Sequence, residues 1–199
     1  MNSRIDLRMK ASAKGQSMVE FALVAILLAL LVAGIAEYGN LLNDYLNLVD
    51  ASREAVRYSS SFDPFAGSES QWQENPQFYE DTIRLTHEVL APLTLHAEDG
   101  DDIIVSFFTV GDGIYIRYPN ETGYRWSSTQ TSKFSSAMIQ SRLQSGAPPA
   151  GVLLVEIFYH YHQKLRMPVF TALISDPIEV YSYAMMPLAA AKPEDTPVP

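Results

Sequence analysis

The sequence predicts an α+β fold: a long N-terminal transmembrane helix that continues into a small domain built on an antiparallel sheet of about four strands. Three observations predict it. Phe21 to Ala36 is an unbroken apolar run of 16 residues set between Glu20 and Glu37. The helical period persists beyond that run to about Ser60. Runs of β-branched and aromatic residues at 103–110, 114–118, 151–162 and 177–186 are separated by Gly- and Pro-rich breaks.

The apolar run spans about 24 Å as helix, at ~1.5 Å per residue. A hydrocarbon core of ~30 Å needs about one more turn, which Ser17 to Glu20 supply. Glu20 is therefore expected at the membrane boundary or paired. Residues 1–15 carry Arg4, Arg8, Lys10 and Lys14 against Asp6. That basic excess predicts a cytoplasmic N-terminus, a single pass through the cytoplasmic (inner) membrane and an extracytoplasmic C-terminal body. A secretory signal peptide also starts with a basic region, but it would end in small residues at a cleavage site. Here Glu37, Tyr38 and more helix follow instead.

After Glu37 the residues Tyr38, Leu41, Leu42, Tyr45, Val49, Ser52 and Val56 share one helical stripe, and Asn40, Asn43, Asp44, Asn47, Asp50, Glu54 and Arg57 share the opposite one. One helix from near Gln16 to Ser60 is expected, with the first stripe buried. A Ser-, Gly- and Pro-rich break covers 59–70. Asn75-Pro76 is an N-cap followed by Pro at the first helical position. Phe78, Leu85 and Val89 then form the stripe of a second helix, which ends near Leu90 before Ala91-Pro92. Ile103–Val110 and Ile114–Tyr118 read as a hairpin around Gly111-Asp112-Gly113. Lys133 to Gln144 is expected to hold a short helix around Phe134 and Met138, and Gly146–Gly151 a linker. In 151–162, Leu153, Val155, Ile157, Tyr159 and Tyr161 alternate with Glu156, His160 and His162, which predicts one buried face and one wet face. Pro177–Met186 is the last strand, and residues 190–199 are expected to be a disordered acidic tail. Four parts follow: a basic leader at 1–15, an N-terminal helix at 16–60, an exported α+β domain at 61–189, and the tail.

Composition excludes several classes. Net charge is −9, and it is more negative still without the basic leader. An acidic body without a basic stripe is not a nucleic-acid binder, since phosphate contacts rest on Lys and Arg. With no cysteine, disulfides, thiolate metal sites and cysteine nucleophiles are excluded. There is no nucleophile–base motif, phosphate loop or dinucleotide fingerprint. No enzyme activity and no cofactor are expected.

The order of basic leader, Gly15, four residues, Glu20, Phe21 and apolar run resembles a type IV prepilin signal. The longer string is similar to the N-terminal module of TadE-like proteins, pseudopilin-type components of the tight adherence (Tad) pilus system. It carries Val19-Glu20-Phe21-Ala22-Leu23, Gly34-Ile35, Glu37, Gly39, Ala51-Ser52-Arg53-Glu54-Ala55 and Arg57-Tyr58. The resemblance implies cutting between Gly15 and Gln16 by a prepilin peptidase, which makes Glu20 the fifth residue of the mature chain. It also implies pairing of Glu20 with the new N-terminal amine of an adjacent subunit, with Phe21 beside it in the assembly contact. Implied partners are the peptidase, other pilin or pseudopilin subunits, the Tad assembly machinery and the cytoplasmic membrane. The family commonly has a proline early in the span; Ala25-Ile26 stand here instead, which implies a straighter helix.

Two chemical readings favour this picture. A carboxylate inside a span costs roughly 2.5–3.5 kcal/mol unless it finds a partner, so Glu20 is the leading functional residue. Gly15 has no Cβ to obstruct a peptidase at the membrane surface. Two others compete with bland explanations. Glu156, His160 and His162 have metal-type side chains on one strand face, against the simpler reading of surface residues. Glu98-Asp99-Gly100-Asp101-Asp102 is oxygen-rich but lacks EF-hand alternation, so a solvated acidic turn is expected in place of a calcium site. Beside the pseudopilin stand an uncleaved bitopic accessory protein of pilus assembly or secretion, and an anchored extracytoplasmic metal-binding sensor or enzyme using the two histidines.

Overall fold

The computed structural model describes residues 3–66, 73–111, 114–142 and 150–188, with side chains at 15–65, 74–110, 116–141 and 150–188. Asp112 and Gly113 of the expected turn, most of the 146–151 linker, the end of the 59–70 break and the tail from Ala190 lie outside the described residues. The elements in chain order are α1 (Ser3–Ser59), β1 (Phe65–Ala66), β2 (Gln73–Glu74), α2 (Pro76–Leu90), β3 (Asp102–Gly111), β4 (Ile114–Tyr118), β5 (Tyr124–Arg125), α3 (Ser136–Arg142), β6 (Ala150–Tyr161), α4 (Pro168–Leu173) and β7 (Ile178–Leu188). This is the expected α+β arrangement, a long apolar N-terminal helix followed by a small antiparallel-sheet domain. The chain forms two compact units: residues 1–42 with 163–175, and residues 43–162 with 176–199.

In the first unit α1 is continuous from Ser3, earlier than the expected start near Gln16. Its stretch from Gly15 onward is long and apolar enough to cross a membrane, and none of the most apolar 18-residue window is buried. The connection between β6 and β7 belongs to this unit. The Glu37 carboxylate accepts the backbone N–H of Lys164 (2.8 Å) and of Leu165 (2.9 Å). Gln163 Nε2 donates to the Ile174 carbonyl across the segment (3.3 Å).

In the second unit, β3, β6 and β7 run antiparallel in the order β4-β3-β6-β7, and β5 pairs with β3 beyond the end of β4. In register, Val105 faces Val155 and Val155 faces Ala184. β1 and β2 pair separately. α2 starts as expected: Asn75 Oδ1 accepts the Gln77 N–H (3.1 Å) and Pro76 takes the first helical position.

Each face of the sheet is covered, which sets the burial. On one face Phe107 stacks on Tyr118 (centroids 4.7 Å apart, 9° between planes) and meets Phe65, Phe78 and Tyr79. Ser52 of α1 meets Ser182 of β7 on that same face (Oγ–Oγ 3.1 Å). On the other face Phe108, Leu154 and Phe134 form a buried cluster. Arg117 is buried there and donates to Ser106 Oγ and to the carbonyls of Glu121 and Phe134. Gly123, at φ +79°, has no room for a Cβ, which would lie 2.4 Å from Ser106 Oγ.

Three expectations are corrected here. The single wet face of 151–162 is not found: Leu154, Glu156 and Phe158 are as buried as Leu153, Val155 and Ile157, because the 126–142 segment covers the second face. Phe134 lies ahead of α3 and not within it. The buried stripe of α1 between 43 and 59 is Asp44, Leu48, Ala51, Ser52, Ala55, Val56 and Ser59, whereas Tyr45 is exposed. Small residues on that side let the helix approach the sheet closely, so it is rotated from the face that apolar content alone selects.

Candidate assembly site on the first helix

The residues singled out for processing and assembly all lie on one stretch of α1. Gly15 is exposed, and a Cβ built on it would meet nothing within 4 Å. Glycine in a helix interior is destabilising by about 0.5–1 kcal/mol relative to alanine, so Gly15 weakens α1 locally beside the Gly15–Gln16 bond. One turn on, Gln16 Nε2 donates to Glu20 Oε1 (3.1 Å, both side chains exposed). The helix thus sets residue 16 directly over the Glu20 carboxylate, because residues four apart share a face. Phe21 is 73% exposed, and Leu23, Val24, Leu27, Leu28 and Leu31 are exposed with it. An acidic side chain at the edge of a bare apolar helix is chemically able to accept a cation from another chain and has no role in packing this one.

The strand residues weighed for metal are placed differently. Glu156 is fully buried and accepts hydrogen bonds from Ser132 Oγ, the Lys133 backbone N–H (2.9 Å) and Tyr181 Oη (2.8 Å). Burial and that neighbouring carboxylate push the Tyr181 phenol above its ordinary range. His160 is engaged by Asp101, whose Oδ1 lies 2.7 Å from the His160 backbone nitrogen and 3.1 Å from Nδ1. His162 lies between Asp176 (3.4 Å) and Asp99 (3.7 Å). Among the described residues no group of three or more His, Asp or Glu side chains is placed to hold a metal ion.

The acidic turn at 98–102 does more than face solvent. Asp101 and Asp102 are buried. Asp101 also accepts the His96 N–H (2.8 Å), and Asp102 accepts the N–H groups of Ser127 (2.8 Å) and Gln130 (3.1 Å). These carboxylates tie the irregular 126–130 segment to the start of β3. Nearby Tyr159 is pushed up to about 12 by burial, with the charges of Asp44, Asp101 and Asp99 adding to the effect.

Glu37 and Gly34, which the sequence offers only as part of the resemblance, seat the 163–175 segment. Their signal was present: an acid closing an apolar run, with a glycine one turn before it. Its meaning depended on a segment more than a hundred residues away in sequence.

Residues 15–57 match the model of the TadE-like protein family. Over this helix the chain is similar to TadE-like proteins, in line with the resemblance carried by its residues, and the match supports a protein related to the Tad pilus. No curated protein and no solved structure matches the chain.

Proposed function

On the premise of a TadE-like helix at residues 15–57, we propose that this protein is a membrane-anchored pseudopilin or minor pilin that takes part in assembly of a Tad-type pilus. The leader at 1–15 is removed by a prepilin peptidase at Gly15–Gln16, on the cytoplasmic side. Residues 16–60 anchor and pack the protein, the α+β domain at 61–189 is carried outside, and 190–199 form a tail. The observation that carries this reading is the pairing of residue 16 with Glu20 on a bare apolar helix. The side chain of Gln16 holds the carboxylate before processing. Cleavage adds a cationic amine at that same residue, and the identical amine of a neighbouring subunit competes for Glu20. A desolvated acid–amine pair of this kind removes the penalty of carrying Glu20 into lipid and fixes the register between subunits.

The test is to determine the N-terminal residue of the protein in membrane and sheared-pilus fractions, in wild type and in Glu20→Ala. Gln16 is expected at the mature N-terminus in both, with piliation strongly reduced in the variant. A chain that keeps Met1 to Gly15 in cells assembling normal pili would instead identify an uncleaved accessory protein. Normal piliation of a processed Glu20→Ala chain would remove Glu20 from assembly.

A further inference from the structure

The segment 163–175, QKLRMPVFTALIS, contains two cations and no acid in a chain of net charge −9. It folds against α1 at a defined height. Glu37, the first charged residue after the apolar run, accepts the backbone N–H groups of Lys164 and Leu165. Gly34, one turn toward the middle of the run, leaves room for the Phe170 ring, whose Cζ would lie 3.3 Å from a Cβ at that position. At ~1.5 Å per residue the Phe170 contact lies about 4.5 Å deeper than Glu37. Around it Val169 (46%), Ile174 (49%) and Leu173 (77%) are exposed, while Lys164 and Arg166, both exposed, lie on the Glu37 side of the segment.

We infer that residues 163–175 form an interfacial membrane foot: the tip around Val169, Leu173 and Ile174 enters the acyl region beside the span, and Lys164 and Arg166 face anionic lipid headgroups. The occupant is identified by depth. The contacts of Glu37 and Gly34 hold Phe170 level with residues of the span, and its exposed neighbours Val169, Leu173 and Ile174 then meet the medium that surrounds Val32 and Ile35. Basic residues at the headgroup level above an apolar face inserted by about 5–10 Å are the pattern of interfacial elements. This inference rests on the span reading of residues 21–36 and adds a second point of membrane contact to it.

The chain has no cysteine, so single nitroxide labels report cleanly. Leu173→Cys, Val24→Cys and Ala137→Cys are compared in the full-length protein, reconstituted in phosphatidylcholine–phosphatidylglycerol vesicles, by their collision rates with oxygen and with a water-soluble nickel chelate. Ala137 is exposed on α3 and gives the aqueous reference. The Leu173 label is expected to follow the Val24 label: high oxygen accessibility, and nickel collisions at least about tenfold below those at residue 137, since polar and charged species are excluded from hydrocarbon. A Leu173 label as open to nickel as residue 137, with Val24 still in lipid, overturns the foot and leaves the span. A label shielded from both reagents and broadened by a second spin places another copy of the chain there, and also overturns it. Nickel access at Val24 rejects the span itself.

Discussion

The two halves of α1 have the same backbone and opposite surroundings. Between residues 21 and 36 every residue is apolar or glycine, ten of the sixteen are Phe, Leu, Ile or Val, and none is buried. Between 44 and 59 the buried side chains are Leu48 and Val56 together with alanines, serines and Asp44. The most apolar stretch of the chain is thus the least packed, and the buried face of the second half is made mainly of small side chains. Bare leucine and valine at 21–36 are stable only against lipid or another apolar helix. Close-packed alanine and serine at 44–59 allow a helix to approach a sheet and leave little tolerance for added volume. One helix therefore carries sequence adapted to two media, and hydrophobicity alone does not say which half is the core.

The largest expected effect separates two phenylalanines. Phe107→Ala removes a fully buried ring from an aromatic cluster and is expected to destabilise the domain by about 3–5 kcal/mol, read by denaturant unfolding of the detergent-solubilised full-length protein with tryptophan fluorescence. Phe21→Ala, of equal chemistry but 73% exposed, is expected to leave that transition within about 0.5 kcal/mol of wild type. A comparable loss at Phe21 would break the distinction between lipid-facing and core-facing apolar residues.

The next contrast probes volume. Ala55 is fully buried and Ala29 exposed. Ala55→Leu is expected to cost about 1–3 kcal/mol through overpacking, and Ala29→Leu to leave the unfolding midpoint unchanged. If Ala55→Leu is neutral in the same assay, the close approach at 51–56 is not under packing constraint.

The smallest effect depends on pH. His87 packs edge-on to Trp126 (4.6 Å between centroids), and burial holds its folded-state pKa below the ordinary 6.5. The unfolded chain takes up the proton first, so this contribution to stability is complete above the unfolded value and declines as pH falls through 6.5 toward the folded one. Glu74, raised by burial above the ordinary 4.5, acts in the opposite sense at lower pH. Melting temperatures at about pH 7.5 and about pH 5.5 therefore bracket the histidine. The acid-side drop is expected to be smaller in His87→Leu than in wild type. An equal drop in both would move the proton uptake to other groups.

Much of this organisation was legible locally. Gly15, Glu20 and the apolar run are adjacent in sequence, and the helix that joins them depends on its own hydrogen bonds. The cap at Asn75-Pro76 and the β-branched runs at 103–110 and 114–118 likewise act over a few residues, and each produced the expected element. The buried face of α1 was not legible, because periodicity ranks Tyr38, Leu42 and Tyr45 above Ala51 and Ala55, whereas packing against the sheet rewards small size. Glu156 read as a wet carboxylate because its donors, Ser132, Lys133 and Tyr181, lie 23 to 25 residues away.

The sequence by itself determined that a membrane-length helix with an acid at its entry leads into an antiparallel α+β domain, since hydropathy, helical period and turn residues are properties of short windows. Only the tertiary structure decided which side of that helix is core, that both faces of β6 are covered, and that residues 163–175 return to Gly34 and Glu37. Those outcomes depend on contacts between segments as many as 130 residues apart, and no local pattern encodes them.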